Sequence, residues 1–113
     1  MHRLVIQPNA LAELEAAYEW LQKRAPDAAA KWFNGFVEAL RQLKSAPESF
    51  GLVPDLHEMP YPIRQLLYGK RQHKYRAFFT IAGDEVHVLH IRHGARRAWR
   101  PKNLPSFDRP ETD

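Results

Sequence analysis

The chain has 113 residues, a formal net charge of +4 and no cysteine. This length allows one domain with a single core, and 44% hydrophobic residues with 12% aromatics indicate a folded chain. The lack of Cys excludes a disulfide framework, a thiol nucleophile and a thiolate metal site. No apolar run approaches a membrane span, so we expect a cytoplasmic protein.

The first half of the chain has the pattern of a short strand followed by a helix. Residues 3–7 are apolar at their centre and lead into Pro8, which suits a first helical turn because its missing N–H would have no partner there. Apolar residues then recur at helical spacing as far as Arg24. The helix should end there, because Pro26 disfavours helical geometry at Ala25.

A second helix is predicted directly after this break. Asp27 is a good N-cap for it, and Gly35 would let a neighbouring element approach closely. The connection is only a few residues long, so the two helices should pack antiparallel. Residues 45–62 contain four prolines and no clear periodicity, which indicates a long irregular connection that is functional or covers something.

Three strand-like runs follow, at residues 63–68, 75–81 and 86–91. The last two flank a short turn that contains Gly83, which is typical of a hairpin. The predicted fold is therefore α+β with the order β-α-α-β-β-β: a helical hairpin on one face of a small, mainly antiparallel sheet. Two helices cannot cover both faces, so the other face should be left for solvent or a partner.

The register of the hairpin determines which face is basic. Strand periodicity places Ala77 and Phe79 towards the helices and Arg76 on the opposite face. A two-residue turn would bury Arg92 among the helices, at a cost of several kcal/mol. We therefore expect a three-residue or bulged turn that brings Leu89 and Ile91 to the helix face and leaves Arg76, His90 and Arg92 together on the open face.

Positive charge is concentrated in this half of the chain. Residues 64–100 hold nine Lys or Arg and four of the six His but only two acids, whereas residues 1–50 carry six basic and six acidic side chains. A basic, His-bearing sheet indicates an anionic partner, most simply phosphates, although an acidic protein is compatible as well. His87, His90 and His93 do not make a metal site by this pattern, because alternation along the strand separates His90 from the others. We predict neither a metal nor a cofactor.

This stretch resembles the C-terminal part of the RelE/ParE superfamily of bacterial toxins. The segments that carry the resemblance are YRAFF at 75–79, the Gly83-Asp84 turn, VLHIRHGARR at 88–97, IQP at 6–8, the acidic first helix and IRQL at 63–66. It covers residues 3–97, so residues 1–97 are taken as a RelE/ParE-like toxin domain. Residues 98–113 are a polar, proline-containing tail that should be loosely ordered unless a partner holds it.

The resemblance implies the toxin of a type II toxin–antitoxin module that stabilises a plasmid or chromosome. Such a toxin inhibits growth and is neutralised by a cognate antitoxin, whose extended segment wraps it in a hetero-oligomer. RelE-like members bind the ribosome and cut mRNA as endoribonucleases, whereas ParE-like members lack that activity and poison DNA gyrase. An inactive relative that binds only its antitoxin is a third alternative.

The RelE-like alternative also implies a set of site residues. Metal-free RNA cleavage needs a base for the 2′-OH, cations for the phosphorane and an acid for the 5′-oxygen. Arg76 and Arg96 fall on RelE-type catalytic Arg positions, and Arg64 lies roughly at that of a Lys. His90 or His93 could act as acid or base, since His titrates near neutral pH. Further candidates for RNA or target binding are Lys70, Arg71, Lys74, Arg92, Arg97 and, as a base-stacking ring, Phe78.

Two departures from the RelE pattern keep the ParE-like alternative open. A second Lys expected on the earlier strand is replaced by an apolar residue near Leu66, and the Tyr expected beyond Arg96 is absent. Trp99 or Lys102 lies near that position instead.

Overall fold

Two helices and a four-stranded sheet make up the described chain. The computed structural model describes residues 1–56, 58–70, 74–94, 101 and 104–107. The elements are β1 (Arg3–Ile6), α1 (Pro8–Arg24), α2 (Pro26–Arg41), β2 (Arg64–Tyr68), β3 (Tyr75–Ala82) and β4 (Glu85–His93). The strand order is β1-β4-β3-β2, with β1 parallel to β4 and the other pairs antiparallel. The predicted α+β fold and its element order are confirmed.

Prolines start both helices. Pro8 occupies the first turn of α1, and Pro26 starts α2 after Ala25, whose φ of −153° is not helical. The prediction of Asp27 as N-cap is wrong: because Pro26 already begins the helix, Asp27 lies in the first turn, where its negative charge favours the helix dipole. Ala25 alone separates the two helices, so they form a tight helical hairpin. Neither helix has the length and apolar character that crossing a membrane requires.

The helices cover one face of the sheet and form the main core with it. Ala77 and Phe79 of β3 are buried there, as predicted from strand alternation. The other large buried members of this core come from both helices, the turn after α2 and the neighbouring strands: Leu14, Phe36, Leu40, Leu43, Leu66, Val86, Val88 and Ile91.

The second face of the sheet has its own apolar cluster. Phe78 and Leu89 of the sheet are packed there with three side chains from the connection before β2: Val53, Leu56 and Ile63. Leu104 and Phe107 of the tail pack against the same cluster. The expectation of an open second face is therefore wrong at its centre, and the described part of the tail is packed. The expectation that residues 45–62 cover something is confirmed.

The hairpin has a two-residue turn and a bulge further along β4. Ala82 pairs with Glu85 across the turn, and Gly83 has a φ of +63° that favours glycine. The register shifts after Phe79–Val88 to Phe78–His90, which leaves Leu89 unpaired. The bulge, and not a longer turn, is what moves Ile91 to the helix face.

The observed register agrees only in part with the predicted one. Ile91 packs with the helices and Arg92 lies opposite Arg76 on the second face, as predicted. Leu89, however, packs in the second-face cluster and not against the helices, because the two-residue turn places Leu89 on the side of Phe78 and the bulge shifts only the residues after it.

Candidate functional site

Two arginines occupy directly opposite positions on the second face of the sheet. Arg76 of β3 pairs with Arg92 of β4 in the strand register, and Arg92 is exposed. Arg76 is half-buried: its Nε donates to Oε1 of Gln65 at 2.9 Å, and its guanidinium carbon lies 4.6 Å from the centre of the Phe78 ring. Like charges opposite one another disfavour the folded sheet, whereas a bound anion would favour their pairing.

Arg64 does not join this pair. It lies opposite Phe79 on the helix side of the sheet, and Arg76 projects to the other side. Its Nη1 donates to the backbone carbonyls of Phe50 at 2.6 Å and Glu48 at 3.2 Å. The Arg64 guanidinium therefore holds the chain after α2 against the sheet.

His90 is buried beside α1 at the bulge. It is 8% exposed, and its Nδ1 lies 3.2 Å from Oε2 of Glu13. The other carboxylate oxygen of Glu13 accepts the backbone N–H of Ile91 at 2.7 Å. Glu13 therefore accepts a backbone hydrogen bond from β4 beyond Val88, where the pairing with β1 ends.

The sequence did not predict this role of Glu13, because Glu13 lies between the apolar positions that recur at helical spacing in α1. The only available signal was the difference in length between β1, with four residues, and β4, with nine. That difference leaves part of the β4 edge in need of another hydrogen-bond partner.

The remaining described candidates lie in contrasting environments. Phe78 is 1% exposed, so its ring is not accessible for stacking on a base, contrary to the prediction. His93 is exposed and packs its ring 4.9 Å from that of Tyr75. Lys70 and Lys74 are exposed in the connection between β2 and β3. The predicted residues Arg71, Arg96 and Arg97 lie outside the described residues.

His87 belongs to a polar network at the other end of β4. Its Nδ1 lies 2.8 Å from Nε2 of Gln7 and its Nε2 lies 2.9 Å from Oε1 of Glu85, which also pairs with Arg3. The ring of Phe107 covers it at 4.5 Å. Burial, and secondly the positive charge of Arg3, lower the pKa of His87.

The bulge also changes the grouping of the histidines. His87 lies opposite Thr80 and His90 opposite Phe78, so both fall on the second face, while His93 lies opposite Tyr75. The prediction that His90 stands apart from His87 is therefore wrong. Within the ranges that the structure describes, no group of three or more His, Asp or Glu side chains is placed to hold a metal ion.

Arg76 and Arg92 therefore form a basic pair on the second face of the sheet. The pair lies on the same face as the apolar cluster that the connection before β2 and the tail cover. Such a pair can bind an anionic group or the acidic surface of a protein. Five residues were predicted to be catalytic. Arg76 belongs to this pair, Arg64 lies across the sheet, and His90 contacts Glu13. His93 lies on the helix side, and Arg96 is outside the described residues.

Comparisons with known proteins agree on one family. The family described as "ParE toxin of type II toxin-antitoxin system, parDE" matches residues 4–98. A solved structure titled "Chromosomal ParDE TA system from P. aeruginosa" superposes with a TM-score of 0.67 and 26% sequence identity, covering 82% of this chain and 96% of that chain. No curated protein matches the sequence.

Proposed function

This chain belongs to the ParE toxin family of type II toxin–antitoxin systems, and from that premise we propose that it arrests growth by binding DNA gyrase and not by cutting RNA. Gyrase is the target that the resemblance to ParE-like members implies. Binding needs a complementary surface but no convergent set of catalytic groups.

The observation that carries this proposal is the separation of the predicted cations. RNA cleavage without a metal requires several positive groups around one phosphate. Arg64 and Arg76 lie on opposite sides of the sheet, and Arg64 is engaged by two backbone carbonyls. The burial of Phe78 and the bond between His90 and Glu13 support the same conclusion.

A supercoiling assay tests the proposal directly. Purified toxin is added to gyrase, ATP and relaxed plasmid, and the topoisomers are separated on a gel. We expect the toxin to inhibit supercoiling in proportion to its concentration. The same toxin must also arrest growth when it is expressed in cells. If it does, full supercoiling at a large molar excess of the purified toxin would contradict the gyrase assignment.

A cognate antitoxin is the second proposed partner. The similar solved structure is named as a ParDE toxin–antitoxin system, and the concentration of positive charge between residues 64 and 100 suits an acidic binding segment. Co-expression with a small reading frame that adjoins the toxin gene, where one encodes the antitoxin, should restore growth and yield a complex that co-purifies. Continued growth arrest with both proteins present would count against that frame as the antitoxin.

Ribosome-dependent mRNA cleavage is the alternative, and the opposed Arg76 and Arg92 favour it. Both cations can contact one phosphate, and Arg96 is the further cation that the sequence predicts. Primer extension on mRNA, with and without ribosomes, would reveal such cleavage.

Under this alternative, Arg76→Ala and Arg96→Ala should abolish cleavage. Arg41→Ala should not, since Arg41 is exposed on α2 and pairs only with Glu38 among the contacts described for it. Intact mRNA with the unmodified toxin would rule the alternative out.

A further inference from the structure

The described part of the tail lies on the second face of the sheet, beside the first half of β4. β4 ends at His93, whereas the ring of Phe107 lies 4.5 Å from that of His87, towards the other end of the strand. The chain after β4 therefore returns along the second face. We call residues 104–107 the strap, because they pack over the apolar cluster there.

Side chains hold the strap in place. The hydroxyl of Tyr61 donates to the carbonyl of Pro105 at 2.7 Å, and the Tyr61 ring lies 5.3 Å from the Phe107 ring. Leu104 and Phe107 pack on the second-face cluster. Within the described ranges, no backbone–backbone hydrogen bond joins the strap to the sheet. Its release therefore breaks no strand pairing, so the strap can open while the sheet stays folded.

The strap fills the surface beneath it incompletely. A cleft of about 210 Å³ remains beside Pro105, and another of about 370 Å³ lies between the strap and the connection before β2. Each has room for several water molecules. Leu104, Pro105 and Phe107 are only half-buried, and Ser106 is exposed. Opening therefore gives up fewer contacts than the removal of a close-packed core segment would.

The strap borders the basic pair on the second face. Pro105 lines one cleft together with Leu89 and His90, and Arg92 follows His90 on the same face of β4. Arg92 is exposed and lies opposite Arg76. When the strap opens, apolar surface at Leu89 becomes accessible beside two guanidinium groups. Apolar surface with arginines at its border is typical of protein interfaces.

We propose that the strap is an autoinhibitory cover of the target-binding surface. With the strap seated, the target meets only the basic pair; with the strap open, it also covers the apolar surface at Leu89. The target that fits carries an apolar side chain next to carboxylates, because the pair is cationic. Target affinity is reduced in proportion to the fraction of molecules in which the strap is open. The identity of the target as gyrase rests on the proposed function, whereas the inhibitory role of the strap does not.

A covalent lock tests the closed state. Because the chain has no cysteine, Pro60→Cys and Ser106→Cys, at two positions that line the same cleft, can be joined by a short bismaleimide linker. We expect half-inhibition of gyrase supercoiling to require about tenfold more of the locked toxin than of the unlinked double variant. Ser106→Cys alone, treated with the same reagent, should inhibit like the unmodified toxin. Equal inhibition by the locked and the unlinked forms would overturn the proposal.

Two variants test the open state. Tyr61→Phe removes the hydrogen bond to Pro105, and Phe107→Ala removes the ring contacts of the strap. We expect each to lower the half-inhibitory concentration about two- to fivefold. Leu52→Ala, at an exposed position of the connection before β2, should leave it unchanged.

The thermal unfolding temperature shows whether each variant keeps the fold. If Phe107→Ala unfolds the chain, Tyr61→Phe still decides the outcome. Unchanged or weaker inhibition by the folded variants would contradict an inhibitory strap, and weaker inhibition would mean that the strap itself contacts the target.

Growth arrest separates this proposal from the assignment of gyrase. Graded expression in cells measures inhibition whatever the target is, and both strap variants should arrest growth at lower expression than the unmodified toxin. If they do so while no form affects supercoiling, gyrase is not the target and the strap proposal stands. Equal thresholds for all forms, or no arrest by any of them, would overturn the strap proposal.

Discussion

Gly35 is the position on α2 where the absence of a side chain matters most. A Cβ there would overlap the hydroxyl oxygen of Tyr68, which donates to the carbonyl of Trp32 at 3.1 Å. The Tyr68 ring cannot move aside easily, because it stacks on Phe36 at 4.6 Å and meets Trp32 at 6.4 Å. The predicted close approach at Gly35 is thus confirmed.

Gly35→Ala should destabilise the fold despite the better helix propensity of Ala. Overpacking costs about 1–3 kcal/mol, against about 1 kcal/mol gained from propensity. Urea unfolding measures the difference, with Gly51→Ala as a control because open space surrounds Gly51.

The clash can be tested by removing its other partner. In a Tyr68→Phe background, which lacks the hydroxyl, Gly35→Ala should cost little or even stabilise. An equal loss in both backgrounds would mean that the hydroxyl of Tyr68 is not the cause.

At the scale of elements, one carboxylate joins α1 to the free part of β4. Glu13 accepts the N–H of Ile91 at 2.7 Å and contacts His90 at 3.2 Å. Removing it leaves a buried N–H without an acceptor, so Glu13→Ala should cost about 1–3 kcal/mol of unfolding free energy. Chemical denaturation followed by circular dichroism measures this loss.

Glu15→Ala on the same helix is the matched control for Glu13→Ala. Glu15 is exposed, so its loss should change stability by no more than about 0.5 kcal/mol. Similar losses from both variants would show that α1 responds to any lost carboxylate and not to the bond with β4.

At the scale of the whole molecule, chain segments cover both faces of the sheet. The burial of His87 under one of these segments makes the stability of the fold depend on pH. Burial under Phe107 and the charge of Arg3 lower the pKa of His87 below its usual 6.5. Below about pH 6.5 the unfolded chain binds a proton that the folded chain resists, so protonation favours unfolding. The contribution of His87 to stability is therefore present above about pH 6.5 and is lost as the pH falls from there through the lower folded-state pKa.

Unfolding free energies measured between about pH 5 and pH 7 should rise with pH, and His87→Gln should flatten the rise. His93→Gln is the control, because His93 is exposed. Phe107→Ala uncovers the ring and should raise the pKa of His87 in an NMR titration. An unchanged pKa in that variant would contradict the role of Phe107 in its burial.

Local patterns were enough to predict both helices, the strand-like runs, their order and the helix-facing side of β3. Proline geometry, helical spacing and strand alternation act over a few residues, so they can be read directly from the sequence. They also led to the correct superfamily, since the resembling segments follow those elements along residues 3–97.

Contacts between distant residues determined the site. The bulge at Leu89 joined His90 to the side of His87, Leu104 and Phe107 covered the face expected to be open, and Arg64 bound carbonyls from the chain after α2. None of these follows from local spacing, because each depends on how segments far apart in the chain compete for the same surface. The sequence by itself therefore determined which helix or strand carries each side chain of this toxin. Packing between distant segments decided the surroundings of that side chain.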